Sequence, residues 1–204
     1  MSISLVLEMA ASNEPDREAV IDGEARLNAA QLYELAKRAA GAIAASDTEH
    51  VVYVGTGGLM VPLLMFASAL SGRPFSPLNY RLSNAALREL IDRLPASLVV
   101  ADDEYASLVA GAGRQVMRCE ELIAAARGAQ PLVSEPDPDS VAVVLFTSGT
   151  TSQPKAVQLT HNNLTSYVTG TVEFASAERN DAALICVPPY HIAGVGAALS
   201  NLYA

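Results

Sequence analysis

The densest chemical signal in the sequence is a run of hydroxyl side chains that leads to a lysine. Thr147 to Ser152, TSGTTS, places five hydroxyl-bearing residues around Gly149, and Gln153, Pro154 and Lys155 follow. Glycine lets the backbone turn so that successive N–H groups converge on an anion. The hydroxyls can donate further hydrogen bonds, and the lysine supplies a mobile positive charge. The segment therefore predicts a loop that holds a polyphosphate.

Two better-known phosphate-binding loops do not fit this segment. The P-loop of kinases and ATPases, G-x-x-x-x-G-K-[ST], needs glycine before its lysine and a hydroxyl after it, whereas Pro154 and Ala156 stand there. No G-x-G-x-x-G occurs in the sequence, so a dinucleotide-binding fold has no support. The alternative without a ligand is a surface hairpin rich in Ser and Thr.

The predicted loop needs an element on either side to present it. Val141 to Phe146 is a continuous apolar run, which is typical of a buried strand, and Ala156 to Leu159 predicts a second strand. Upstream, apolar residues recur alternately at strand and helix spacing. Strands separated by helices of about ten residues indicate an α/β fold with a mostly parallel sheet and flanking helices. The phosphate loop is then expected between two strands.

The upstream pattern also predicts individual elements. Asn28 and Gln31 form a predicted capping box at the start of a helix. Further helices are expected at 59–70, 105–110, 120–126 and 162–174, and another is expected from a cap at Ser83 or Asn84 to a stop at Pro95. Strands are expected at 51–54, 75–78, 98–101 and 183–187. The stretch 128–140, GAQPLVSEPDPDS, is rich in proline and acid and divides the chain. We predict an N-terminal α/β subdomain over residues 1–130 and the start of a phosphate-loop and substrate subdomain over 131–204.

Composition excludes several classes of function. Thirteen Lys and Arg against 22 Asp and Glu give a net charge of -9, so binding to a nucleic-acid backbone or to an anionic membrane surface is not expected. An anionic ligand must be held by a local device. The two cysteines and three histidines have no metal-ligand spacing, which gives a zinc site little support. The turn residues Asp102 and Asp103 are expected in solvent, and His161 is expected to be structural.

Residues 51–70 form an uncharged stretch of spanning length. They contain three glycines and a proline, which favours a buried strand, a turn and a buried helix over a transmembrane segment. The N-terminus has no basic region and an acidic Glu8, so no secretory signal is predicted and a cytoplasmic location is expected.

The hydroxyl-rich loop resembles the signature of a known superfamily. TSGTTSQPK, Thr147 to Lys155, is similar to the T-S-G-T-T-G-x-P-K loop of adenylate-forming enzymes, with Ser152 in place of the second glycine. Three more segments resemble that superfamily in the same order: 31–35 (QLYEL), 69–81 (ALSGRPFSPLNYR) and 188–194 (PPYHIAG). The resemblance is closest to acyl-CoA synthetases and covers nearly the whole chain.

The resemblance implies a two-step ligase that uses ATP, Mg²⁺ and coenzyme A. A carboxylate, expected to be fatty acyl, attacks the α-phosphate of ATP to give an acyl-adenylate and pyrophosphate, and a thiol then displaces AMP. It implies catalytic roles for Lys155 and His191 and a substrate pocket at Tyr190, His191 and Gly194. Gln153 and Pro154 would shape the turn, and Thr151 is the candidate metal ligand. The residues implied to hold the ATP phosphates are Thr147, Ser148, Gly149, Thr150, Thr151, Ser152 and Lys155.

Several later motifs of the superfamily have no counterpart in the sequence, namely the Y-G-x-T-E and Y-R-T-G-D segments and the C-terminal lid domain with its lysine. The apolar run 195–204 has no helix stop. We therefore expect an N-terminal fragment of an acyl-CoA ligase that is inactive alone and prone to self-association. The alternatives are a short non-catalytic nucleotide-binding or interaction module, and an acyl-AMP ligase that passes its acyl group to a carrier protein.

Overall fold

The computed structural model describes residues 1–111, 115–147 and 154–204. These residues form a mixed α/β fold around one mostly parallel sheet, as the alternation of strands and helices predicted. The elements of the described residues are α1 (Ser4–Asn13), β1 (Glu18–Asp22), β2 (Ala25–Asn28), α2 (Ala29–Ala44), β3 (His50–Val54), α3 (Met60–Leu70), β4 (Phe75–Pro77), α4 (Asn84–Asp92), β5 (Ser97–Ala101), α5 (Asp103–Val109), β6 (Gln115–Arg118), α6 (Cys119–Gly128), β7 (Val141–Thr147), β8 (Lys155–Thr160), α7 (His161–Thr171) and α8 (Ile192–Tyr203).

The main sheet has the strand order β6-β5-β3-β4-β7-β8. Its first five strands are parallel, and β8 pairs antiparallel with β7 because a single hairpin joins them. A separate antiparallel hairpin, β1–β2, precedes α2. The phosphate-loop segment therefore lies between two strands at one edge of the sheet, as expected. The division of the chain at residue 130 stays a prediction.

Each face of the main sheet is covered by its own group of helices. Val51 and Tyr53 of β3 pack into a large core that also holds residues of α1, α2, α3, α6, α7 and α8. Val52 and Val54, which alternate with them, pack into a smaller core with residues of α4 and α5. The central strands are covered on both faces, which explains their continuous apolar sequence.

Local signals account for most element boundaries. The capping box at α2 forms as predicted, since Asn28 accepts from the Gln31 N–H at 2.8 Å and Gln31 accepts from the Asn28 N–H at 3.0 Å. Ser83 caps α4 and Thr160 caps α7. The uncharged stretch 51–70 is β3, a turn and the fully buried α3. No helix among the described residues is long and apolar enough to cross a membrane.

The strand expected at 183–187 is absent from the described fold. The segment has no ladder partner among the described residues, and Leu184 is 90% exposed. A strand needs a neighbour that completes its backbone hydrogen bonds, so an apolar run alone does not make one. Leu184, Ile185 and Val187 form an exposed apolar segment instead.

Candidate functional site

The hairpin that carries the predicted phosphate loop is well defined at its base. Thr147 is the last residue of β7 and faces Lys155, the first residue of β8. The Thr147 hydroxyl also donates to the Lys155 carbonyl at 3.5 Å. Both residues are exposed to solvent. The hairpin geometry thus holds the two ends of the segment side by side.

The tip of this hairpin lies outside the described residues. Five of the predicted phosphate-binding residues fall there, as does the expected turn residue Gln153; the five are Ser148, Gly149, Thr150, Thr151 and Ser152. The predicted metal ligand Thr151 is one of them. Among the residues that the structure describes, no group of His, Cys, Asp and Glu side chains could hold a metal ion.

The second predicted site segment lies at the start of α8. His191 is the N-cap residue of this helix, and its ring centroid is 4.6 Å from that of Tyr190. Tyr190 is buried, whereas the His191 side chain is exposed. A Cβ at Gly194 would come within 2.9 Å of the Pro188 carbonyl oxygen, so glycine lets the first turn pack against the preceding loop. The three predicted pocket residues therefore form one compact turn.

Two aromatic residues that the sequence analysis did not single out, Tyr80 and Tyr105, extend this turn. The ring of Tyr80 meets that of Tyr190 edge-on, with centroids 5.9 Å apart and an interplanar angle of 70°. On its other side Tyr80 lies 5.6 Å from the ring of Tyr105. Tyr80 lies in the 69–81 segment that resembles the superfamily, which was the available signal. A row of aromatic rings thus links the loop after β4 to His191.

The structure modifies the expectation for Asp102, which is a half-buried turn residue with several hydrogen-bond partners. Its carboxylate accepts hydrogen bonds from the Tyr53 hydroxyl (2.9 Å), the Thr56 N–H (2.8 Å) and the Cys119 thiol (3.2 Å). The reason is that β5 and β3 are parallel neighbours, so Asp102 emerges beside the residues that follow Val54. Asp103 is exposed, as expected.

The same carboxylate influences two neighbouring acids. Burial, and next the negative charge of Asp102, raises the pKa of the Tyr53 hydroxyl. Burial and then the hydrogen bond to Asp102 raise the pKa of the Cys119 thiol. Both groups are held protonated, so Cys119 is not a thiolate nucleophile. The Asp102 carboxylate thus connects the ends of β3, β5 and β6.

His161 is structural, as predicted. It is 2% exposed, and its Nδ1 accepts the Ile3 N–H at 3.3 Å. Burial, and next the charge of the N-terminal ammonium group, lowers the pKa of His161 to about 4, while Asp137 opposes the shift. The neutral ring thus fastens the N-terminus to α7, immediately after the phosphate-loop hairpin.

The predicted site residues fall into two groups that the described structure does not join directly. Among the described residues, no hydrogen bond or ring contact links Thr147 or Lys155 to Tyr190 or His191. A cavity of about 680 Å³ lies on the other side of the α8 turn. Its lining includes Gly194 and Pro189 but neither Tyr190 nor His191.

A family model and curated proteins both match nearly the whole chain. The family model described as "AMP-binding enzyme" matches residues 7–204. The chain is 26% identical over 214 residues to the indoleacetate–CoA ligase of Aromatoleum aromaticum, covering 96% of this chain and 42% of that protein. It is 27% identical over 209 residues to the fatty acid–[acyl-carrier-protein] ligase ScoC of Streptomyces coeruleorubidus, covering 95% of this chain and 40% of that protein.

Solved structures agree on the fold. The inhibitor-bound N-terminal domain of FACL13 from Mycobacterium tuberculosis superposes with a TM-score of 0.88 at 21% identity, over 99% of this chain and 55% of that one. At this identity the likeness concerns the fold alone. The chain spans about two fifths of the length of the curated relatives that it matches.

Proposed function

Since the chain belongs to the AMP-binding enzyme family, we propose that it is the N-terminal portion of an ATP-dependent acyl-CoA ligase. Such an enzyme joins a carboxylate to AMP, with release of pyrophosphate, and then forms a thioester with coenzyme A. The observation that carries the proposal is the β7–β8 hairpin, which places Thr147 opposite Lys155 at the two ends of the hydroxyl-rich segment. This arrangement suits a loop that closes over a polyphosphate.

Lys155 is proposed to neutralise charge on the β- and γ-phosphates and on the departing pyrophosphate. Lys155 is one of two lysines in the chain. Because the net charge is -9, the overall electrostatic field does not attract an anion, and the positive charge of Lys155 must act locally. The hydroxyls of Thr147 to Ser152 would donate hydrogen bonds to the same oxygens. Mg²⁺, with Thr151 as its proposed ligand in this chain, would share that negative charge.

Tyr190, His191 and Gly194 are proposed to border the carboxylate of the acid. The exposed His191 ring is available to a ligand, and the buried Tyr190 ring beside it restricts where that ring can lie. Orientation of the carboxylate toward the α-phosphate is the contribution expected from this turn. A fatty acid and an aromatic acid are the two candidate substrates, because an indoleacetate ligase and a fatty-acid ligase both match the chain.

The thiol acceptor has a second candidate. The relative ScoC is named for transfer to an acyl carrier protein rather than to coenzyme A. A carrier-linked phosphopantetheine thiol is therefore the alternative acceptor. An assay of the longer protein that offers free coenzyme A and a carrier protein in parallel would separate the two.

We also propose that the 204-residue chain does not adenylate an acid by itself, since it spans only about two fifths of its relatives. The exposed apolar residues Leu184, Ile185 and Val187 would favour its self-association. A cytoplasmic location stays a prediction.

Carboxylate-dependent exchange of pyrophosphate into ATP, measured with Mg²⁺ and a panel of fatty and aromatic acids, tests the proposal. The longer protein is expected to catalyse the exchange and this chain is not. Exchange by this chain that is lost in Lys155→Ala would contradict the proposed inactivity. No exchange by the longer protein with any acid would contradict the proposed ligase activity.

A further inference from the structure

Arg93, which follows α4, contacts both sides of the β7–β8 hairpin, at β7 and at the residue just before β8. Its Nη1 donates a hydrogen bond to the Pro154 carbonyl at 2.7 Å. Its guanidinium carbon lies 5.0 Å from the centre of the Phe146 ring. Phe146 precedes the loop at the end of β7, and Pro154 follows it just before β8. One side chain therefore joins the two shoulders of the loop.

The hairpin needs such support because it lies at the edge of the sheet. β8 pairs with β7 alone among the strands of the described residues, and most of its side chains are exposed. The β7–β8 ladder runs to the pair Thr147 and Lys155, so the Pro154 carbonyl lies beyond it. Arg93 gives this carbonyl a partner that the ladder does not supply.

Arg93 itself is carried by a firmly packed element. It is the C-cap residue of α4, and its backbone N–H bonds to the carbonyl of Leu90 at 3.2 Å. Leu90, Ile91 and Leu94 are buried in the smaller core. The root of the arginine side chain is thus fixed relative to the sheet, and only its guanidinium reaches the hairpin.

We propose that Arg93 is a positioning residue for the phosphate loop, an inference that rests on the proposed function. A planar guanidinium can lie over an aromatic ring and donate within its own plane at the same time, whereas a lysine ammonium cannot match both contacts. By contacting Phe146 and Pro154 at once, Arg93 fixes the relative position of the two described residues that flank the proposed phosphate-binding segment. These two flanks then need less ordering when a polyphosphate binds.

The test compares Arg93→Met and Arg93→Lys with Arg127→Met, which removes one exposed positive charge at the end of α6. Amide hydrogen exchange is measured on the whole chain. We expect Arg93→Met to speed exchange at residues 146, 147, 155 and 156 about tenfold, with β3 unchanged and the melting temperature within roughly 2 °C of wild type. The exchange rates of Arg93→Lys at these residues should lie between those of wild type and Arg93→Met. The rates of Arg127→Met should match those of wild type. Unchanged exchange in Arg93→Met would overturn the inference.

Binding of magnesium pyrophosphate, measured by calorimetry, separates this inference from the proposed function. We expect Arg93→Met to weaken binding at least fivefold and Lys155→Ala to weaken it at least tenfold. Equal affinity of wild type and Arg93→Met, with binding lost in Lys155→Ala, would overturn the role of Arg93 and leave the phosphate role intact. No binding by the wild-type chain would contradict the phosphate role and the positioning role together.

Discussion

The Asp102 carboxylate accepts a hydrogen bond from the Tyr53 hydroxyl at 2.9 Å across two neighbouring parallel strands. Because its other oxygen accepts from Thr56, this one side chain fastens the turn after β3 to the start of α5. The sequence shows only two adjacent aspartates at a turn. The structure shows that they differ completely in role, and this difference can be measured.

Asp102→Asn should destabilise the fold strongly. The amide replaces an acceptor with a donor that faces the Tyr53 hydroxyl or the Thr56 N–H, so we expect a loss of about 2–3 kcal/mol in the free energy of unfolding. Asp103→Asn is the matched control. The Asp103 side chain is 71% exposed, and its Oδ1 lies 3.8 Å from Nη1 of Arg118. The loss in the free energy of unfolding for Asp103→Asn should therefore stay below about 1 kcal/mol. Urea unfolding at pH 7 measures both, and equal losses would contradict the assignment.

The lowered pKa of His161 should make the protein less stable in mild acid. Its folded pKa of about 4 lies below the ordinary value of 6.5, so between these values the unfolded chain binds the extra proton. The contribution of His161 to the free energy of unfolding should therefore be complete above about pH 6.5. It should be lost as the pH drops toward 4, by an amount on the order of 2–3 kcal/mol.

His161→Asn provides the comparison for that pH dependence. Its side-chain oxygen can accept the Ile3 N–H in place of Nδ1 and does not titrate. Urea unfolding at several pH values between 4 and 7.5 should give a shallower dependence for this variant than for wild type. Parallel curves would show that another group is responsible.

Gly58 should not tolerate a side chain. Its φ is +65°, and an added Cβ would overlap the carboxylate of Asp22, which accepts the Leu59 N–H. Gly58→Ala should therefore cost about 2–3 kcal/mol, since the backbone conformation is strained for alanine and the Asp22 carboxylate must move away from the Leu59 N–H. Gly23 has a φ of +57° and open space around it, so Gly23→Ala should cost only about 1 kcal/mol. Thermal unfolding of the two variants tests this difference.

Tyr80 is expected to hold the Tyr190–His191 turn through its ring. Tyr80→Leu removes the edge-on contact and should cost about 1 kcal/mol of stability, whereas Tyr80→Phe keeps the ring and should cost less than half of that. Proton–carbon NMR spectra should show a shift of the Tyr190 and His191 ring signals in Tyr80→Leu alone. Identical ring signals in all three proteins would argue against the contact.

Lys155→Ala should slow adenylation in the longer protein at least tenfold, equivalent to about 1.4 kcal/mol in the barrier. Lys37→Ala is the natural control, because Lys37 is the other lysine of the chain and pairs with Glu34 on α2. Pyrophosphate exchange gives the rates. An unchanged rate in Lys155→Ala would exclude the proposed phosphate role.

Features that depend on neighbours a few residues away could be read from the amino-acid sequence. The capping box at Asn28, the stripe of Leu87, Leu90 and Ile91 on α4, and the strands around the hydroxyl-rich segment all follow from local spacing. Such patterns report backbone hydrogen bonding and burial within one element. They were sufficient for the fold class and for the location of Lys155 on the hairpin.

Contacts between distant residues became visible in the folded chain and not before. The contacts of Asp102 with Tyr53 and of Arg93 with Pro154 depend on strand order and on where each element ends, which periodicity does not encode. The apolar run 183–187 fails as a strand for the same reason, since pairing requires a neighbouring strand as well as a suitable sequence. Long-range partners are set by the packing of whole elements, and they decide the role of each polar side chain.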